Sequence, residues 1–375
     1  MAARLAGIAG LVGLLSLATG TAEAQTAAEM REKVNRGTVG IVSGSVTGTY
    51  IRIASDLAAE LNNRDLRVLV TAGLGSVQNI DDLLYLRGID AAIVQSDVLE
   101  YIKREEIHPN VAQRINYISK LYNEEFHLLA STSVSSIEDL RGQPVVLGNT
   151  GSGSHMTASI VFETLGIDVQ PVPAKDHGTA LQMLKDGEVK AWVRVTGKPN
   201  ASLGRLAPED NIHLLSVPQT PELLQTYLPS QLTHDDYPGL VPDGQTTNTI
   251  AVGAVLAVYA WEPNHPRHTK VARFVNACFD EFVKEEFYKP QRQKKWREVN
   301  LGAELPGWTR FAPAANWLAL STTAASADSE ADLTPDQMRL LKALQSNDLS
   351  GLSQDEREFV ETFRSLTRAK AAQSQ

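Results

Sequence analysis

From Thr38 onward, short apolar runs alternate with stretches of helical period. Val39 to Val42 is apolar and ends in Ser43-Gly44; Tyr50 to Leu61 follows, with Ile53, Leu57 and Leu61 four apart. Arg67 to Val70 predicts a second strand, Val77, Ile80, Leu83 and Leu84 the face of a second helix, and Asp90 to Val94 a third strand. Strands separated by helices of this length imply an α/β fold with a largely parallel sheet. The theme then restarts. Phe126 to Ala130 is apolar, Ile137 to Leu140 predicts a short helix, Pro144 to Leu147 a buried strand, and Ser154 to Leu165 a helix stopped by Gly166. Val169 to Val172, a helix over Thr179 to Leu184 and the strand Ala191 to Val195 complete a second α/β lobe.

Ile250 to Val258 predicts a long apolar strand and Val271 to Lys284 a long amphipathic helix, which rejoin the first lobe. Two chain crossings, near Leu128 and Ile250, then make a hinge. The expected organisation is lobe I over residues 37–127 and 251–320, lobe II over 128–250, and a helical extension over 321–375. In that extension a Ser-, Ala- and Asp-rich spacer precedes two helix starts. Thr334-Pro335-Asp336-Gln337 carries Pro at the first helical position, and Ser353-Gln354-Asp355-Glu356 has the form of a capping box.

The N-terminus changes the picture of where the protein works. Arg4 precedes an apolar run from Leu5 to Leu17, and Ala22-Glu23-Ala24 has the A-x-A form of a cleavage site. A signal peptide over residues 1–24 is expected, with export to the periplasm and a mature start at Gln25. About 350 residues remain, room for two ordinary domains. The chain is 43% hydrophobic and 21% charged, as folded proteins are. Its net charge of −9 argues against nucleic acid as a partner, since phosphate contacts need clustered Lys and Arg. The single cysteine, Cys278, sits at helical spacing among Val271, Phe274, Val275, Phe279 and Phe282 and reads as a core residue.

Candidate chemistry gathers in four loops of small residues at strand ends. They are Ser43 to Tyr50, Thr71 to Ser76, Gln95 to Asp97 and Asn149 to Ser154. In open α/β sheets ligands bind beyond the carboxyl ends of strands, where helix N-termini present free N–H groups to anions. One such loop is an ordinary helix cap; four, divided between two lobes, point to an anion held between them. Enzyme signatures are missing: Gly197-Lys198 runs into Pro199 and so makes no P-loop, and neither G-x-G-x-x-G, G-x-S-x-G nor H-E-x-x-H occurs. The expected activity is binding, not catalysis, with no cofactor and no metal.

The ordered series Gly44 to Tyr50, TAGLGSVQN (Thr71 to Asn79), DAAIVQSD (Asp90 to Asp97), Leu121 to Glu124, IEDLRGQPVV (Ile137 to Val146), Gly148 to Ser154 and Leu184 to Pro199 resembles the TAXI receptors. These are the solute-binding subunits of tripartite ATP-independent periplasmic (TRAP) transporters. The resemblance spans roughly Thr38 to Leu206. It departs from the family at Ile51, at Ser154 and at Arg194, where the family usually has an aromatic, a Thr and no charge. It implies a type II periplasmic-binding-protein fold of two lobes and ligands such as glutamate, glutamine and related carboxylates. TRAP-type membrane permease subunits would be its partners.

The expected ligand-binding residues are Ser45, Thr47, Tyr50, Thr71, Ser76, Gln95 and Asp97 from lobe I and Ser152 and Ser154 from lobe II. Arg194 completes the set. Alternation along Ala191 to Thr196 puts Trp192 and Arg194 on one face, so Arg194 either pairs with a neighbouring acid or clamps a ligand carboxylate in the cleft. A monomer is expected. A periplasmic sensor or adaptor of the same fold and an exported enzyme are the alternatives.

Overall fold

The β-branched and aliphatic runs form one continuous eleven-stranded sheet in the computed structural model, which describes residues 27, 29–63, 65–325, 335–346, 349–361 and 364. The expected signal peptide lies outside the described residues. The strands run β1 Thr38–Val42, β2 Arg67–Thr71, β3 Ala91–Gln95, β4 Ile115–Ser131, β5 Pro144–Val146, β6 Gln170–Pro171, β7 Ala191–Thr196, β8 Ile212–Leu214, β9 Leu228–Thr233, β10 Thr246–Tyr259 and β11 Thr309–Arg310. The helices are α1 Thr49–Leu61, α2 Ser76–Tyr85, α3 Val98–Arg104, α4 Val111–Arg114, α5 Gly153–Thr164, α6 His177–Lys185, α7 Pro266–Val283, α8 Ala312–Ala325 and α9 Pro335–Ser346.

The spatial order β2-β1-β3-β10-β4-β7-β5-β6 explains the two lobes. β1 pairs parallel with β2 and β3, and β5 pairs parallel with β6 and β7. Between these parallel ends lie β4 and β10, antiparallel to each other and long enough to serve both halves. β4 pairs with β10 from Ile115 to Glu125 and with β7 from Glu125 to Ala130, so it changes neighbour at Glu125. β10 does the same, pairing with β9 up to Ala251 and with β3 from Ala254.

Each half-sheet is buried on both faces, as parallel strands require. In lobe I, α1 contributes Ile53, Ala54, Leu57 and Leu61 to one face, which continues through Phe274, Phe279 and Trp296. Val77, Ile80 and Leu83 of α2 cover the other, with Val42, Val94 and Ile102. In lobe II, Phe126, Val161, Val193 and Val195 form one layer and Leu129, Leu184, Trp192 and Tyr237 the opposite one. Cys278 is buried in the first of these cores, and burial pushes its thiol up to about 12.

Two features depart from the sequence expectation. The strand expected over Phe126 to Ala130 begins eleven residues earlier, at Ile115. The C-terminal extension is no separate appendage either: Leu340, Ala343, Leu352, Phe359 and Val360 are buried in the same core as α7 and α8. The capping box of its last helical segment, 354–361, is present, with Glu356 N–H donating to Ser353 Oγ at 3.3 Å and Ser353 N–H to Glu356 Oε2 at 2.7 Å.

Candidate functional site

Every parallel strand of an α/β lobe delivers its loop to the same edge, so the sequence motifs converge where the two edges face each other. The β1–α1 loop, the β2–α2 loop, the end of β3, the β5–α5 loop, the start of α6 and the end of β7 enclose a cavity of about 90 Å³ between the lobes. A single water needs only about 10–15 Å³ on this measure, so the cavity has room for a small solute.

The lobes are closed on each other around it. Gln78 N–H donates across the cleft to Gly151 O at 3.2 Å. Gly153 lies so close to lobe I that a Cβ there would sit 2.0 Å from Gln95 Oε1. Gly75, with φ of +118°, opens α2 in a conformation that side chains rarely adopt, and brings the helix N-terminus against Gly153. Neither α1, capped by Gly48, nor α2, capped by Gly75, has a side-chain cap. Apart from Gln78 N–H, which Gly151 O takes, their first-turn N–H groups remain available to an anion.

Seven of the ten expected residues line this cavity: Ser45, Tyr50, Ser76, Gln95, Ser152, Ser154 and Arg194. Three do not. Thr47 is exposed at the tip of the first loop. Thr71 is exposed at the end of the edge strand β2, where its carbonyl accepts from Ser43 N–H and Oγ–H, both at 2.9 Å. Asp97 is buried, but its Oδ2 accepts from Thr157 and Tyr227 of lobe II, away from the cavity. Thr49, Glu124, Asn149, His177 and Thr196 line the cavity without having been singled out from the sequence.

Arg194 dominates the electrostatics. Its residue is 2% exposed, and its Nη1 donates to Ser202 Oγ at 2.5 Å. Its guanidinium lies 6.0 Å from the Trp192 ring. No carboxylate among the described residues pairs with it, so the pairing expected of an ordinary buried arginine is missing. Burial brings its pKa down to about 10, which leaves it cationic at neutral pH. Beside it, burial and the Arg194 charge lower His177 to about 4, so that imidazole is neutral. Ser154 Oγ accepts from Val195 N–H at 2.9 Å, which leaves its own proton to donate into the cavity.

Glu124, at the point where β4 leaves lobe I, supplies the only carboxyl among the lining residues. Tyr50 O–H donates to its Oε2 at 2.5 Å, so this phenol is committed to Glu124 rather than free for a ligand. Burial raises Glu124 to about 8, with the Glu125 charge adding to the effect. A carboxyl with a raised folded-state pKa binds more protons folded than unfolded, so its contribution to stability falls as pH rises from the ordinary carboxyl range to about 8. The expected slope is at most about 1.4 kcal/mol per pH unit. Glu124→Gln is therefore expected to gain on the wild type steadily between pH 5 and pH 8, measured by urea unfolding. A stability difference independent of pH would show that Glu124 is ionised in the folded protein.

Two α/β lobes joined by crossing strands, with an anion-suited cavity between them, define a solute-binding protein of the periplasmic-binding type. The chain belongs to the NMT1-like family, whose model matches residues 41–266. Among solved structures it is similar to MatC from Rhodopseudomonas palustris with bound malate, at 15% identity and a TM-score of 0.46 over 76% of this chain and 97% of that one. Another R. palustris protein, solved with adipate, matches at 18% identity and a TM-score of 0.44 over 77% and 97%. An ancestral arginine-binding protein bound to arginine matches at 15% and 0.42 over 68% and 96%.

Proposed function

We propose that this protein captures a small organic anion in the periplasm, a glutamate-like amino acid or a dicarboxylate, and hands it to a TRAP-type secondary transporter. The observation that carries this reading is Arg194: a buried guanidinium at the cavity wall with no carboxylate of the described chain to neutralise it. Keeping an unpaired charge out of water is costly, and a ligand carboxylate held by two parallel hydrogen bonds removes that cost. The uncapped N-termini of α1 and α2 and the hydroxyls of Ser45 and Ser154 add donors around the same anion. Glu124 serves the far end of the ligand. Protonated, it donates to a second carboxyl; ionised, it meets an ammonium group.

The lobes open to admit the solute and close around it, and the solute leaves unchanged. The transporter assignment rests on the TAXI-like order of motifs from Thr38 to Leu206.

Mass spectrometry of small molecules released from the purified, denatured protein is expected to find such an acid. A ligand at a hundred times its Kd adds about 2.7 kcal/mol to folding. A melting-point panel of amino acids, dicarboxylates, sugars and nucleotides is therefore expected to respond to the first two classes only. A response confined to sugars or nucleotides would sink the anion reading. Uptake of the released acid by vesicles carrying a TRAP-type permease, dependent on this protein, tests the transport role; uptake indifferent to it would leave a sensor.

A further inference from the structure

Asp97 is placed by its sequence motif beside the ligand, yet it touches none of the cavity. It sits at the start of α3 in lobe I, 3% exposed, and its partners belong to lobe II. Thr157 of α5 donates its Oγ1–H to Asp97 Oδ2 at 3.0 Å, and Tyr227, a member of the lobe II core, donates its phenol O–H to the same oxygen at 3.0 Å. Asp97 Oδ1 is buried with no partner. Thr157 Oγ1 also lies 3.4 Å from Gln95 Oε1, and that oxygen accepts from Ser76 Oγ at 3.1 Å. Both Gln95 and Ser76 line the cavity. A run of polar contacts therefore leads from the cavity wall to a lobe–lobe contact outside the cavity lining.

We propose that Asp97, Thr157 and Tyr227 form a latch that sets how far the lobes close, and through closure how tightly the cavity holds its solute. This rests on the reading of the protein as a receptor that opens and closes. When the lobes part, Asp97 loses both donors and meets water instead. When they close, the carboxyl gives up that water, and the two hydroxyls compensate for one of its oxygens only. Tyr227 therefore favours closure: without its hydroxyl, closing buries a carboxyl with a single donor, which is costly. Removing the charge as well as the hydroxyl removes most of the cost. Asp97, Thr157 and Tyr227 are thus positioning residues for binding; none of them lines the cavity.

The test needs no ligand. Spin labels on exposed positions of the two lobes report the ratio of closed to open protein by their distance distribution. Tyr227→Phe is expected to lower that ratio by about tenfold, the size of a lost hydrogen bond to a charged acceptor. Asp97→Asn placed in the Tyr227→Phe protein is expected to restore most of it. A Tyr227→Phe protein that closes like the wild type overturns the latch. So does an opened Tyr227→Phe protein that Asp97→Asn fails to restore, because the hydroxyl would then act through packing and not through the carboxyl. Titration with L-glutamate and with succinate, as named probes, follows in the same variants. Where either binds the wild type, its affinity is expected to fall with the closed fraction, and an affinity that does not follow the closed fraction overturns the link to binding. Failure of both probes to bind the wild type counts against the proposed ligand class and leaves the ligand-free measurement to decide the latch.

Discussion

Arg194→Ala is expected to weaken binding of the captured acid by roughly ten- to a hundredfold, the range for a lost hydrogen-bonded charge partner. Arg194→Lys is expected to fall between this variant and the wild type. Lysine keeps the charge but has no planar fork to grip both carboxylate oxygens. The second half of the prediction has the opposite sign. With the lobes closed the Arg194 charge is buried against Trp192 with Ser202 as its hydrogen-bond partner, and burial lowers its pKa to about 10. A group whose charged form is penalised by folding costs stability, so an uncharged replacement of similar length, Arg194→Met, is expected to melt at or above the wild-type temperature without ligand. Calorimetric titration and thermal melts on the same preparations read both effects. Weaker folding with unchanged affinity would reverse the assignment and make Arg194 a structural anchor for the Ser202 turn.

Much of the fold was legible because most elements bury one face or both, and burial writes itself as a period. Ile53, Leu57 and Leu61 of α1 mark a helix, and β1 and β3 read as short apolar runs. β4 was harder. Lys120, Asn123, Glu124 and Glu125 interrupt its apolar pattern, and the groups that make them tolerable are far away in sequence. Tyr50 satisfies Glu124 across 74 residues, and Lys295 approaches Glu125 at 3.5 Å across 170. Nothing local tells a strand with long-range polar partners from a loop.

The site had the same limit. Strand-end loops rich in Ser, Thr and Gly pointed to the cavity between the lobes, because strand topology alone carries those loops to one edge. Residue type does not separate Ser45, which lines the cavity, from Thr47, which turns outward two positions later. Asp97 was misplaced for a related reason: a polar residue after a strand can face the other lobe as readily as the ligand. His177 was missed because it opens a helix after the capping Asp176, where a polar residue is ordinary.

A chain ending at Ala325 is expected to lose stability and keep its affinity. The segments beyond the spacer bury Leu340, Leu352, Phe359 and Val360 against the core that contains Val271, Phe274 and Trp317. Thr269 Oγ1 donates to Asp355 at 2.8 Å, Arg273 pairs with Glu358 at 2.9 Å, and Arg339 joins the two helical segments through Glu356 at 2.6 Å. Burying side chains of this size is worth about 1.5–3 kcal/mol each, and ordering the backbone that carries them takes back most of the sum. A net loss of a few kcal/mol is expected, which at roughly 2–4 °C per kcal/mol in a domain of this size lowers the melting temperature by on the order of 10 °C. None of these residues lines the cavity, and α7, onto which they pack, lies behind lobe I rather than at its ligand edge. Affinity is therefore expected to stay within about twofold, since effects at well-separated sites are independent. An unchanged melting temperature would make the extension superfluous to the lobe I core. A well-folded truncation that no longer binds would instead place the extension in the machinery of capture.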